Sequence, residues 1–272
     1  MRSSIEKSKV RRGFDFGAAY YDQTARFQDE MAADLARRFL AKSGDMSTVL
    51  DLGCGAGGVL ARLALSCRGL VCAGADISSG MLKKAHGKIK GTEGFAAIQA
   101  DAESLPFKSG SMDAVVSNLM FQWLPDPARG FKQVAGVLRQ GGLLMMNTLG
   151  PETFMEIRES LSAAMGSARI PSSDGMFHPF PPVEELRQNA ESAGFGDMEI
   201  GSRQSRRYYQ DIHTLLRSLK KQGVQNSAGL SSMGLGRRRI MTLFAEEYTR
   251  RFGSAQGVRV TYEVIHLAAR KA

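Results

Sequence analysis

Thr48-Val49-Leu50-Asp51-Leu52-Gly53-Cys54-Gly55-Ala56-Gly57 is the stretch on which the reading of the fold turns. A short apolar run that stops at closely spaced glycines marks a buried parallel strand entering a tight turn before a helix. Outward from it the unit repeats. Gly69 to Ala75 is a second apolar run ending at Asp76, Ser79 to Lys90 has helical patterning, and Phe95 to Gln99 and Ala114 to Ser117 are predicted as the third and fourth strands. Pro127 opens a helix predicted to reach Arg139, where Gly141-Gly142 stop it and start a fifth strand over Leu143 to Asn147. Later segments predict helices over 152–165, up to about Ala193, 212–221 and 237–251, and strands over 198–208 and 258–268. The pattern predicts an α/β fold, a doubly wound, mostly parallel seven-stranded sheet of Rossmann-like type. Before it, Phe27, Met31, Leu35 and Phe39 repeat at helical spacing and predict a lid helix over 25–41. One integrated domain is expected: a lid segment over 1–44, a cofactor-binding core over 45–150, and remaining strands with helical substrate-binding insertions over 151–272.

At 272 residues and 43% hydrophobic, the chain can bury one such core but is short for two. No run approaches the roughly 18 apolar residues of a membrane span, and no signal peptide is read at the start. The three cysteines, Cys54, Cys67 and Cys72, follow no paired-ligand pattern and suit a reducing compartment, so the cytoplasm is the expected location. The four histidines are not at metal-binding spacing, and no metal is expected. Charge is uneven: residues 201–272 carry fourteen Lys and Arg against four Asp and Glu, a net of +10, within a whole-chain net of +9. Such an excess favours an acidic partner. The Gly/Ser-rich run 227–236 is expected to be mobile.

Gly53, Gly55 and Gly58 satisfy G-x-G-x-x-G, and Asp76 has the spacing of a ribose-binding acid, so the loop alone also suits a nicotinamide dinucleotide. Three features favour S-adenosylmethionine. Asp51, two residues before Gly53, would repel a pyrophosphate but suits a ligand bearing an ammonium and a sulfonium. Asp101-Ala102, after the third strand, offers a carboxylate to an adenine amino group and a backbone N–H to the ring. Ser117-Asn118-Leu119 ends the fourth strand at the edge that faces ligands in such sheets. The expected cofactor-binding residues are Asp51, Gly53, Gly55, Gly57, Asp76, Ile77, Asp101, Ala102, Asn118 and Leu119.

These residues resemble the class I methyltransferases. The segments Tyr21-Asp22-Gln23-Thr24-Ala25-Arg26-Phe27-Gln28, Ser117-Asn118-Leu119-Met120-Phe121-Gln122-Trp123, Thr148-Leu149-Gly150-Pro151, Phe180-Pro181-Pro182 and Leu216-Arg217-Ser218-Leu219-Lys220 narrow the match. They resemble the malonyl-carrier-protein O-methyltransferases of biotin synthesis, the BioC type. The resemblance implies methyl transfer from S-adenosylmethionine to the free carboxylate of a malonyl thioester, on acyl-carrier protein or coenzyme A. It implies Tyr21 beside the reacting methyl or carboxylate, with Gln122 or Asn118 lining the same pocket. It makes the partner an acidic carrier protein, met by Arg217, Lys220 and Arg206. A carboxylate is ionised at neutral pH, so this reaction needs no general base.

Two other readings of the same residues are a methyltransferase for another small acid and a docking factor that keeps the fold. A nucleic-acid partner is not expected: there is no Asn/Asp-Pro-Pro-Tyr motif, and basic and aromatic residues interleave only at Arg206-Arg207-Tyr208-Tyr209.

Overall fold

The computed structural model describes residues 5–66, 69–169, 179–222 and 237–272. Strand β1 (Thr48–Leu52) forms because four successive residues after Thr48 are buried, which only a strand covered on both faces permits. Around it lie β2 (Val71–Asp76), β3 (Phe95–Gln99), β4 (Met112–Asn118) and β5 (Leu138–Leu149), and these five strands are parallel to one another. Strands β6 (Phe195–Tyr209) and β8 (Gly257–Lys271) run antiparallel, and the sheet order is β3-β2-β1-β4-β5-β8-β6. The two-residue β7 (Gly253–Ser254) pairs off this path with the start of β8. Strand order reverses between β1 and β4, which opens a ligand crevice beyond their carboxyl ends.

Helices cover both faces. On one, α3 (Arg26–Leu40), α4 (Gly58–Ser66) and α5 (Ser79–Ile89) bury Leu35, Phe39, Leu60, Leu63 and Leu82. On the other, α6 (Pro127–Val137) and α8 (Val183–Ser192) bury Phe131, Val134, Leu186 and Ala190. A third cluster beyond the β5–β8 pair joins α7 (Met155–Ser167), α9 (Ile212–Lys221) and α10 (Arg237–Phe252) through Leu161, Leu219, Phe244 and Tyr248. Caps explain several starts: Ser78 accepts from Met81 N, Asp126 from Arg129 N ahead of Pro127, and Asp211 from Thr214 N.

The chain opens with α1 (Lys7–Gly17), a 3-10 turn (Ala18–Tyr20) and the short α2 (Tyr21–Thr24), laid across the crevice. Helix α3 itself is a layer helix, with Leu35 and Phe39 fully buried.

One boundary differs from expectation. Gly141-Gly142 does not end the helix: α6 stops at Val137 and β5 is already extended at Leu138. The register instead jumps from Met112↔Leu138 to Ala114↔Leu143, so the glycines lie in a bulge, with Gly141 at φ +71°. The Gly/Ser run 227–236, residues 177–178 just ahead of the Phe180-Pro181-Pro182 segment, and Cys67 lie outside the described residues.

Candidate active site

The glycine loop is shaped by close approach. Gly53, Gly55 and Gly57 have φ of +72°, +52° and +76°, a region that L side chains disfavour. A Cβ on Gly53 would lie 2.2 Å from Met120 Cγ, whereas one on Gly55 would meet nothing nearer than Tyr21 Oη at 4.0 Å. Gly53 is therefore required by packing, and Gly55 turns its backbone toward open space. The loop is tied to β2 by Gly53 N and Cys54 N, which donate to Ala75 O at 2.7 and 3.1 Å.

Three carboxylates follow successive strand ends. Asp76 accepts from Gly55 N and Ser78 N, each at 2.8 Å, and burial raises its pKa against those N–H groups. Asp51 is 1% exposed and neither of its oxygens has a hydrogen-bond partner. Burial, reinforced by the charge of Asp76 and opposed weakly by the Leu60 amide, pushes its pKa up to about 8. It lies behind the loop, off the cavity wall. Asp101 accepts from Lys7 Nζ at 2.6 Å and from Glu103 N at 2.9 Å. Burial works against its charge, yet the Lys7 ammonium and the Glu103 amide hold it below the usual range.

Asp76 and Asp101 border a cavity of about 1230 Å³, counting the space open to solvent at its mouth. At one end the backbone of Gly53 and Gly55, the carboxylates of Asp76 and Asp101, and the apolar Ile77 and Ala102 form its wall. That combination fits S-adenosylmethionine: acceptors for ribose hydroxyls and an adenine amino group, apolar surface for the ring, and an orphaned buried carboxylate whose charge a cation would stabilise. The opposite end is walled by Phe27, Leu149, Phe154, Phe180 and Tyr262. Phe27 stacks on Tyr262 at 4.1 Å between centroids, and Phe154 meets Tyr262 edge-on at 5.2 Å.

Tyr21 lines the same cavity, its hydroxyl 4.0 Å from where a Cβ on Gly55 would stand. Burial, then the carboxylates of Asp76 and Asp29, raises its pKa, so the phenol is a neutral donor at ordinary pH. Gln122 and Asn118 reach the wall as well, but their amides are engaged. Gln122 donates to Leu119 O and accepts from Thr148 Oγ1, both at 2.8 Å. Asn118 donates to Gln28 O at 3.1 Å and accepts from Asn147 Nδ2 at 3.2 Å. Leu119 between them is left-handed at φ +56°, a conformation that costs a leucine about 1 kcal/mol.

Sequence patterning brings Tyr21, Gly53, Gly55, Asp76, Ile77, Asp101, Ala102, Asn118, Leu119 and Gln122 to one cavity. It does not bring Arg217, Lys220 and Arg206 there, all three being exposed, nor Asp51 and Gly57: Asp51 is buried off the wall, and a Cβ on Gly57 would stand 3.0 Å from Ala85 Cα of α5. It also missed Lys7 and Phe14 on α1 and the pair Gln28 and Gln222, which line the wall. Gln28 Nε2 donates to Gln222 Oε1 at 2.8 Å, while Gln222 Nε2 donates to Thr24 O and Ser218 Oγ. Phe27, Gln28 and Phe180 sit inside motif segments already singled out; nothing local marks Gln222.

Residues 50–146 match the family model described as a methyltransferase domain. A malonyl-[acyl-carrier protein] O-methyltransferase of Geobacter sulfurreducens is 33% identical over 96% of this chain and 98% of that protein. A protein of Teredinibacter turnerae named biotin biosynthesis bifunctional protein BioHC is 30% identical over 99% of this chain and 48% of its own length. Among solved structures, a Haemonchus contortus phosphoethanolamine N-methyltransferase holding S-adenosylhomocysteine shares the fold, with a TM-score of 0.57 and 20% identity over 96% of this chain and 60% of that one. An S-adenosylmethionine-binding crevice at the reversal of a doubly wound sheet, continued by this full-length likeness into the helical insertions, shows that the chain belongs to the malonyl-[acyl-carrier protein] O-methyltransferase family.

Proposed function

We propose that this chain methylates the free carboxylate of a malonyl thioester on an acidic acyl-carrier protein, an early step of biotin synthesis. The observation that carries the reading is the match over nearly the whole length of both chains to a relative of that name. It extends past the cofactor loop into β6, α9 and β8, the last of which brings Tyr262 to the far end of the cavity.

The chemistry of the wall agrees. No histidine lines the cavity among the described residues. A carboxylate nucleophile needs none, since it arrives ionised. The cofactor supplies an electrophilic methyl on a sulfonium. Passing that methyl to a carboxylate oxygen would exchange the carbon–sulfur bond for a carbon–oxygen bond, giving a methyl ester and a neutral thioether, so the protein would have no proton to move.

What remains for the protein is alignment and exclusion of water. Tyr21 donates its hydroxyl to the substrate carboxylate and so fixes one oxygen toward the methyl. Gln122, clamped by Leu119 O and Thr148, holds the wall behind it. The aromatic group around Tyr262 keeps the reacting end dry. Arg217, Lys220 and Arg206, exposed on α9 and β6, meet acidic groups of the carrier.

The test is transfer of labelled methyl to malonyl-carrier protein, beside malonyl-coenzyme A and a carrier whose acyl group has no free carboxylate. Transfer to the malonyl substrates alone is expected. Labelling of the acyl carrier without a carboxylate, or of neither malonyl substrate, overturns the reading.

A further inference from the structure

The cover over the cavity has an outer face as well as an inner one. Helix α1 turns Lys7, Val10 and Phe14 toward the cavity, while Arg12 and Phe16, one turn apart on the opposite side, point to solvent. Phe16 is 53% exposed and Tyr20 37%, with their rings 5.8 Å apart. Lys221 Nζ lies 5.5 Å from the Tyr20 centroid, and Arg217, one turn back on α9, shares its side of the helix. The result is one continuous stripe of two exposed aromatic rings flanked by three cations, made from two segments 200 residues apart in the chain.

Acidic residues of the neighbouring segments are turned elsewhere. Asp15 accepts from Ser78 and Gly80, Asp22 pairs with Lys84, Glu6 pairs with Lys9, and Asp211 caps α9 at Thr214. The stripe is thus positive as well as aromatic. Aromatic rings ringed by cations are the composition of a docking patch for an acidic protein surface, the rings giving affinity and the charges steering encounter.

The stripe is also one residue away from the cavity at two points. Tyr20 is followed by Tyr21 and Lys221 by Gln222, and both followers line the cavity wall. The seam between α1 and α9 is tight: a Cβ on Gly17 would stand 3.2 Å from the backbone of Lys221 and Gln222. A protein seated on the stripe therefore rests on the seam that separates solvent from the reacting end.

We infer that the stripe Arg12–Phe16–Tyr20–Lys221 is the docking surface for the carrier protein that delivers the malonyl arm. The inference rests on the carboxyl-methylation reading above. It adds to that reading a surface made by the cover itself, where the sequence pointed only to cations on α9 and β6.

The test compares two substrates with the intact chain: malonyl-carrier protein and the malonyl thioester of N-acetylcysteamine, which has the reacting group and no protein. In Arg12→Glu, Lys221→Glu and their double variant, KM for the carrier substrate is expected to rise roughly tenfold or more, steeply dependent on salt in the unmodified chain. Phe16→Ala is expected to raise it several-fold without changing that salt dependence. In every variant, kcat/KM for the small thioester and the affinity for S-adenosylmethionine by calorimetry stay unchanged. Carrier kinetics that do not respond overturn the docking surface, as does an equal loss with both substrates. If the unmodified chain methylates neither substrate, the carboxyl-methylation reading falls and takes the docking surface with it; failure of the variants alone leaves that reading intact.

Discussion

The side-chain amide of Gln28 donates to Oε1 of Gln222 at 2.8 Å, joining the first turn of α3 to the end of α9 across 194 residues. Gln222 is 5% exposed and its own amide donates to Thr24 O and Ser218 Oγ, which fixes which end of each side chain faces the other.

Gln222→Leu removes the acceptor for Gln28 Nε2 and the donor for Thr24 O in a buried site. Unfolding free energy should fall by about 1–3 kcal/mol, which at 2–4 °C per kcal/mol for a domain of this size is a drop of several degrees in melting temperature. A variant that melts with the unmodified chain would show that the pair holds nothing together.

Asp76→Ala takes away a side chain that accepts from both Gly55 N and Ser78 N, so the glycine loop loses one of its anchors along with the ribose contact proposed for that carboxylate. Affinity for S-adenosylmethionine should fall roughly 10- to 100-fold, the range for a lost hydrogen bond to a charged group. Titration calorimetry reading an unchanged Kd would refute the placement.

Asp51 makes the ligand-free chain pH-sensitive. Its pKa is about 8 when folded, against about 3.9 in an unfolded chain. The folded state thus keeps a proton that the unfolded state releases between those values. Stability is lost as pH rises from about 4 to about 8, at up to about 1.4 kcal/mol per pH unit. Asp51→Asn cannot ionise, so it should melt at a higher temperature than the unmodified chain at pH 8, with the gap nearly closed at pH 4. Parallel melting curves at both pH values would contradict this.

Tyr21→Phe keeps the ring that packs on Ala18, Ala56 and Met81 and removes only the hydroxyl. Turnover should drop roughly 10- to 100-fold, the worth of one hydrogen bond to a charged group, with cofactor affinity held. Equal losses in both would place the hydroxyl at the cofactor, away from the substrate.

Much of this was legible before the fold was known, and the reason is local. Gly53, Asp76, Asp101 and Asn118 sit at strand ends, and strand ends are marked by where an apolar run stops. Helix α9 was legible because its hydrophobic repeat runs from Ile212 and gives out near Lys221; the structure adds the Asp211 cap at its start. Gly141-Gly142 misled because a glycine pair signals a break in regular structure without saying whether a helix stops or a strand bulges; the buried Leu138 decided for the strand. Gln222, Lys7 and Tyr262 were invisible as site residues because their roles arise from elements far apart in the chain. The engagement of Asn118 by Asn147 and of Gln122 by Thr148 was hidden for the same reason: β4 and the turn after it meet β5 only in the sheet.

Strand β8 lies inside the sheet, between β5 and β6, although it is the last of the strands along the chain. As the protein is synthesised, the loop at Gly53, Asp76 and Asp101 is in hand well before Gly257 leaves the ribosome, while the bonding edges of β5 and β6 stand open. Tyr262, on β8, completes the aromatic end of the cavity, and Glu263 binds the turn at Glu152. A nascent chain therefore passes through a stage at which it has the cofactor's half of the cavity and none of β8's share of the other half. The exposure of those two strand edges, for as long as that stage lasts, is the point at which this fold is most open to chaperones and to misassembly.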